Sequence, residues 1–250
     1  MMSAYNFIAL GALFLTVSAT DIGKPGPWAP TDPFINIYNT GKTDICYKIE
    51  FTTGSFPTTT TCDSSPGLKV PGGQSVALHT GPDFNGALTA ITNNVKGARH
   101  EINFAASPGD CWYDVDYQLG MSDSTLGPAD HRPRKVNNQR LPSVSGEQNT
   151  LAKANAAWPH ATNKAALLQN PKYIQQGPND GPLTHVYMDA QAPEVVAEFF
   201  QLAADFTAYV VPGSVAGVPV ATDSIKGEMN GAADQKSWIV DLQQMEIIAY

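Results

Sequence analysis

The sequence predicts a mainly β protein, an antiparallel β-sandwich followed by a helical C-terminal portion. Three observations predict it. Short runs of alternating apolar and polar residues recur before residue 118, each closed by Gly, Pro or Asn turn signals. The chain holds 21 Gly and 19 Pro but only 15% charged residues, a loop-rich composition that suits an extracellular β protein better than a helical one. Beyond Pro128 the alternation gives way to Ala-rich segments with good helix formers.

With 42% hydrophobic residues among 250, a sizeable core is affordable, either as one large domain or as a domain with a substantial appendage. The net charge of -8 disfavours nucleic acid and anionic membrane as main partners. Residues 7–19 (FIALGALFLTVSA) form a short apolar run that closes on Val17, Ser18 and Ala19, the small-residue pattern of signal-peptidase cleavage. Residues 1–19 are therefore expected to be a secretory signal, and no later stretch is long or apolar enough for a membrane helix. In the oxidising compartment this implies, two of Cys46, Cys62 and Cys111 should pair, and the sequence does not say which two.

Residues 20–33 are expected to form an extended arm, because four prolines and two glycines fall within residues 21–33. Residues 34–39 (FINIYN) alternate, Thr40, Gly41 and Lys42 turn the chain, and Ile45, Tyr47, Ile49 and Phe51 make one apolar face of the next run, which reads as a hairpin. The threonine run at Thr58 to Thr61, bounded by Pro57 and Pro66, reads as an exposed loop able to carry O-linked sugar. Pro71, Gly72 and Gly73 turn into a strand with Val76 and Leu78 inward. Residues 86–92 and 98–105 continue the alternation across a loop at 93–97.

The most informative stretch is residues 111–128, CWYDVDYQLGMSDSTLGP. Alternation places Cys111, Tyr113, Val115 and Tyr117 on a core-like face and Trp112, Asp114 and Asp116 on the other. Two carboxylates at i and i+2 lie about 6.6 Å apart by strand rise, close to the separation that leaves room for a water in an inverting glycosidase. Trp112 beside them offers a flat surface for stacking a sugar ring. The plainer reading is a solvated strand face without chemistry.

After residue 128 a basic loop at 129–140 precedes three helical segments. Residues 146–158 stop before Pro159, residues 163–169 have Asn163 as a cap, and residues 193–209 carry Val196, Phe199, Phe200 and Ala203 at helical spacing behind Pro193 and Glu194. Residues 235–250 are ambiguous between helix and strand. The domain plan is thus a signal (1–19), an arm (20–33), a sandwich (34–128) and a helix-containing region (129–250) that can pack on the same domain.

No phosphate-binding glycine loop and no GxSxG occur, and His79, His100, His131, His160 and His185 show no metal-ligand spacing. Neither cofactor nor metal is expected. Arg99, His100 and Glu101 put mixed charge on a strand, which a cross-strand pair would explain.

Residues 34–128 resemble the thaumatin-like fold of small, cysteine-poor secreted fungal proteins. The carriers are INIYN, PGGQSVALHTG, GARHEINF and, above all, WYDVDYQLGMSDSTLGP. The resemblance implies a β-sandwich, and many relatives bind, and some cleave, β-1,3-glucan in an acidic cleft. Of the positions matching the family's cleft carboxylates, Asn103, Asp114 and Leu119, only Asp114 keeps a carboxylate here. The resulting expectation is a secreted, non-catalytic cell-wall or apoplastic protein binding β-glucan, with Trp112 stacking on the sugar and Asp114 and Asp116 accepting hydrogen bonds from its hydroxyls. The alternatives are a β-1,3-glucanase using Asp114 with Asp116 or Glu101, and a secreted effector that binds a host protein through loops 52–66 and 129–142.

Overall fold

Alternating runs of the first half fold as strands that divide between two six-stranded sheets. The computed structural model describes residues 20–23, 33–53, 60–62, 65–107, 110–129, 135–136, 139–140, 145–203 and 244–250. The expected signal segment and all but the ends of the arm lie outside these residues. The early strands are β1 (Thr20–Gly23), β2 (Phe34–Asn39), β3 (Ile45–Thr53), β4 (Thr60–Cys62) and β5 (Ser65–Val70). They are followed by β6 (Ser75–His79), β7 (Asn85–Thr92), β8 (Val95–Ser107), β9 (Asp110–Asp116) and β10 (Ser124–Pro128). Two short pieces, β11 (Lys135–Val136) and β12 (Gln139–Arg140), pair with each other, and β13 (Ser145–Glu147) leads into helix α1 (Thr150–Ala157). Helix α2 (Lys164–Leu168), the ribbon of β14 (Ile174–Gln176) and β15 (Leu183–Val186), helix α3 (Glu194–Ala203) and β16 (Gln244–Ala249) complete the described chain.

The first sheet runs β1-β6-β2-β16-β10-β13 and the second β4-β5-β3-β7-β8-β9. All pairings are antiparallel except β1 with β6 and β16 with β2. Residues 235–250, which periodicity left open, end in a strand. Met245, Ile247 and Ala249 alternate inward at 0%, 0% and 4% exposure, so a period of two wins over a helical one. The strand unit expected over 34–128 therefore takes its neighbour to β2 and β10 from the far end of the chain.

Both sheets and the helices feed one apolar cluster. Ile35, Ile37 and Leu126 come from the first sheet, Tyr47, Leu88 and Val115 from the second, and Trp158, Leu167, Val196 and Phe200 from the helical portion. Each such side chain contributes about 1.5–3 kcal/mol on burial. The inward alternation expected for Val76, Leu78, Tyr113 and Val115 is observed.

Five local expectations are corrected. Strands β2 and β3 do not form a hairpin but lie in different sheets. The fully buried Asn39 turns the chain there: its carbonyl oxygen accepts the Gly41 N–H (3.0 Å), and its amide donates to Thr43 O (2.8 Å) and Val70 O (3.1 Å). A side chain that satisfies three backbone groups makes a corner where a two-residue turn would have made a hairpin. The loop expected at 93–97 shrinks to Asn93 and Asn94, both at positive φ (51° and 63°), the backbone that lets two residues link twisted strands, and β8 begins at Val95. Thr60 and Thr61 belong to β4 rather than to a loop, while 54–59 lie outside the described residues.

Helix α1 starts at Thr150 rather than near Gly146, because Ser145–Glu147 pairs with β10. Its own Asn149 makes no side-chain cap. Asp123, from the corner between β9 and β10, accepts the Thr150 backbone N–H (3.2 Å) and hydroxyl instead. Asn163 occupies the position before α2 without a side-chain cap bond, so the expected capping is absent there. The third helix holds as expected over its described part, with Val196, Phe199 and Phe200 buried and the Pro193 carbonyl accepting the first helical N–H groups.

The disulfide joins Cys46 to Cys62, 16 residues apart in sequence. Closing a loop of that size stabilises by about 3 kcal/mol. It runs beside Gly67, where an added Cβ would meet Tyr47 O at 2.8 Å and the two sulfurs at 3.0 and 3.2 Å. We expect Gly67→Ala to cost about 1–3 kcal/mol by overpacking, read as a lower urea midpoint, and equal midpoints would contradict this packing. Asp123→Ala should cost about 1 kcal/mol through loss of the helix cap, with amide exchange accelerating first in α1; unchanged exchange there would show that Asp123 does not hold the helix.

Candidate functional site: the polar face of the second sheet

Strand β8 builds the site because its two faces differ completely. Ala98, His100, Ile102 and Phe104 are buried, while Arg99, Glu101 and Asn103 alternate with them on the other side. Register extends this side across four strands in rows. Lys48, Thr89, Arg99 and Asp116 form one row, and Glu50, Ala87, Glu101 and Asp114 the next. The third holds Thr53, Asn85, Asn103 and Trp112.

Arg99 is the centre of this face. Its Nε lies 3.6 Å from Glu50 Oε2, one terminal nitrogen donates to Glu101, and the same nitrogen is 3.6 Å from Asp116 Oδ2. Lys48 adds a 2.6 Å pair to Glu50. Ala87, the small residue between Glu50 and Glu101 in their row, leaves room for these longer side chains to meet above it. The Lys48 ammonium, with Arg99 and Lys96 nearby, holds the Glu50 carboxyl below its ordinary range. Side-chain exposures of 29% for Arg99, 37% for Glu50 and 39% for Glu101 keep the group at the surface. Such pairs are worth little as stability, and their spare carboxylate lone pairs remain available to accept hydrogen bonds.

The three residues singled out from sequence fare differently. Trp112 and Asp114 take their places in the rows by backbone register, paired with Asn103 and Glu101, and their side chains lie outside the described residues. Asp116 is 3% exposed. Its Oδ1 accepts the Gln118 N–H at 2.6 Å, shaping the corner after β9. Burial raises its pKa, helped by the Glu101 charge and opposed by the Gln118 hydrogen bond and Arg99. The carboxylate expected to face a ligand is thus an internal brace under Arg99. A raised pKa suits a general acid only when the proton can reach a substrate, and Asp116 is closed off from above.

Glu50 and the central role of Arg99 escaped the sequence reading, although strict alternation of Arg99 and Glu101 between Ala98, His100 and Ile102 is the signal that marks an outward charged face. Asp123, a further carboxylate in the 111–128 stretch, is engaged in capping α1. Among the described residues no group of three or more His, Cys, Asp or Glu is placed to hold a metal, and no helix is long and apolar enough to cross a membrane.

No family model matches the chain, and no curated protein matches it in sequence. Among solved structures it has a weak likeness to the protein elicitor MoHrip2 from Magnaporthe oryzae, at 11% identity and a TM-score of 0.30, covering 39% of this chain and 71% of that one, which is too slight to carry an argument about fold or function.

Proposed function

We propose that the protein is a secreted, non-catalytic cell-wall or apoplastic protein of thaumatin-like architecture that binds β-glucan or a similar polysaccharide on the outer face of its second sheet. The observation that carries this reading is the meeting of Glu50, Arg99 and Glu101 above Ala87, in rows continued by Asp114 and Trp112. A four-strand face offers an extended polar surface rather than a pocket, which suits a linear chain with many hydroxyls. Glu50 and Glu101 accept from hydroxyls, Arg99 donates to ring and glycosidic oxygens, and Trp112 supplies the stacking surface. Binding of this kind needs no carboxyl with a tuned pKa.

Two further features support the wider reading. The Cys46–Cys62 bridge and the apolar segment at 7–19 fit an extracellular setting. The two sheets share one core to which β2 through β10, the part resembling thaumatin-like proteins, contribute most strands.

The test is retention of the mature protein on insoluble β-1,3-glucan, chitin and cellulose, with released sugar assayed in the supernatant. We expect retention on glucan, no released sugar, and a roughly tenfold weaker affinity for Trp112→Ala, equivalent to about 1.4 kcal/mol. Glu101→Gln should weaken binding severalfold without unfolding the chain. Sugar release would replace this reading with a glucanase using Asp114 with Glu101, since Asp116 is closed off from a ligand. Failure to bind any of the polymers would sink the carbohydrate reading and direct the search to a host protein.

A further inference from the structure

The β14–β15 ribbon brings three aromatic rings into a row beside the second sheet. Tyr173 precedes β14 and Tyr187 follows β15, and the Tyr187 N–H donates to Tyr173 O at 2.8 Å, which makes the two cross-strand neighbours. Their rings lie 17° from parallel with centres 6.3 Å apart, and His185 extends the row from Tyr187 at 17° and 6.4 Å. Tyr173, the inner ring, is 6% exposed, while Tyr187 and His185 are half-buried and keep part of their surface in solvent. Each ring is tied by its own polar group. The Tyr173 hydroxyl donates to Asp189 Oδ1 at 3.0 Å, His185 Nε2 to Lys172 O at 3.1 Å, and the Tyr187 hydroxyl to Lys96 O at 3.2 Å.

The last of these bonds joins the row to the polar face of the second sheet. Lys96 pairs with Ile91, which stands two residues beyond Thr89 on β7, so Lys96 opens a further row on the side that carries Arg99 and Asp116. Its charge acts there, helping to lower the Glu50 carboxyl. A second tie, from the Ala190 N–H to Gln118 O at 3.2 Å, fastens the chain just after the ribbon to the corner that Asp116 organises.

We propose that the Tyr187–His185 end of this row is a second stacking subsite of the glycan face, taking a pyranose ring of the same chain that meets Trp112 at its other end; this rests on the reading of that face given under Proposed function.

The ligand suited to this row is neutral. The Lys172 ammonium lies 4.7 Å and 5.8 Å from the centres of the Tyr173 and Tyr187 rings, paired with Asp189 Oδ2 at 2.6 Å and donating to the Tyr173 hydroxyl at 3.1 Å. With Asp189 neutralising it, the row holds no unbalanced charge for an ion. Its side chain is 56% exposed, and a third N–H remains for a hydroxyl. Flat apolar ring surface beside such a donor matches the C–H face and the hydroxyls of a sugar. From Asn103, opposite Trp112, to Lys96 is roughly 20 Å along β8 by strand rise, with Glu101 and Arg99 between. A trisaccharide stays within the rows, whereas a hexasaccharide runs past their end to Tyr187 and His185.

The experiment measures the affinities of a β-1,3-glucan trisaccharide and hexasaccharide by calorimetry for the native protein, His185→Ala, His185→Phe and Trp112→Ala. His185→Ala should weaken the hexasaccharide about fivefold and leave the trisaccharide unchanged. His185→Phe, which restores a ring but not the Nε2 bond to Lys172 O, should return the hexasaccharide to near-native affinity. Were His185 only a brace of the ribbon, His185→Phe would be as weak as His185→Ala, and that result, or equal weakening of both sugars by His185→Ala, would overturn the subsite. If Trp112→Ala weakens the hexasaccharide and His185→Ala does not, the subsite is refuted while the glycan face stands. If neither sugar binds the native protein, the glycan face fails and the subsite fails with it.

Discussion

The first sheet is held together by a strand that arrives last. Strand β16 lies between β2 and β10, parallel to one and antiparallel to the other, and its Glu246 accepts from Asn36, 210 residues away in sequence. Met245 and Ile247, both fully buried, fill the inner side of this strand. Without it β2 and β10 would each present an unpaired edge, with backbone donors and acceptors lacking partners. Contacts of this sequence separation close late, because the entropy of a long loop must be overcome before the pairing stabilises anything. The second sheet depends on this closure too. Ser124 and Asn39, both on the first sheet, reach across to His100 and to Val70 O in the second.

Within that frame one strand carries both a core face and the charged outer face. Strand β8 puts Ala98, His100, Ile102 and Phe104 into the core and Arg99 and Glu101 on the outer face. Small residues make the outer arrangement fit: Ala87 lies under the carboxylates, and Gly97, where an added Cβ would come within 2.7 Å of Ser122 Oγ, lets the β9–β10 corner approach the start of β8. Ser122 Oγ accepts the Ala98 N–H at 3.0 Å in the same place. The carboxylates gather around one guanidinium instead of repelling one another, and the one that is buried, Asp116, is also tied to the backbone of the corner.

Much of the strand content was legible because it rests on a period of two over six to nine residues, as in β2 and β3, and the apolar stripe of α3 was legible from its helical period. Sheet membership was not legible. Nothing in residues 39–43 distinguishes a corner from a hairpin until Asn39 is seen bonding to Thr43 O and to the distant Val70 O. Nor can local periodicity say that β16 belongs beside β2, or that Asp123 caps a helix 27 residues further on. Of the site, the placing of Trp112 and Asp114 on one side of β9 follows from alternation, whereas the rows they join follow from register. The burial of Asp116 does not, because it comes from the corner that its own carboxylate organises through Gln118. Arg99 became central only once register set Glu50, Glu101 and Asp116 around it. Pairing of Cys46 with Cys62 likewise needed the fold, since spacing allowed every pair of the three cysteines.

Amide hydrogen exchange in the presence and absence of a soluble β-1,3-glucan oligosaccharide tests the assignment of the ligand face most directly. The account predicts added protection in Ile45–Thr53, Val95–Ser107 and Asp110–Asp116, with β2 and β16 unchanged. Protection confined to the first sheet, or to the helices, would contradict it.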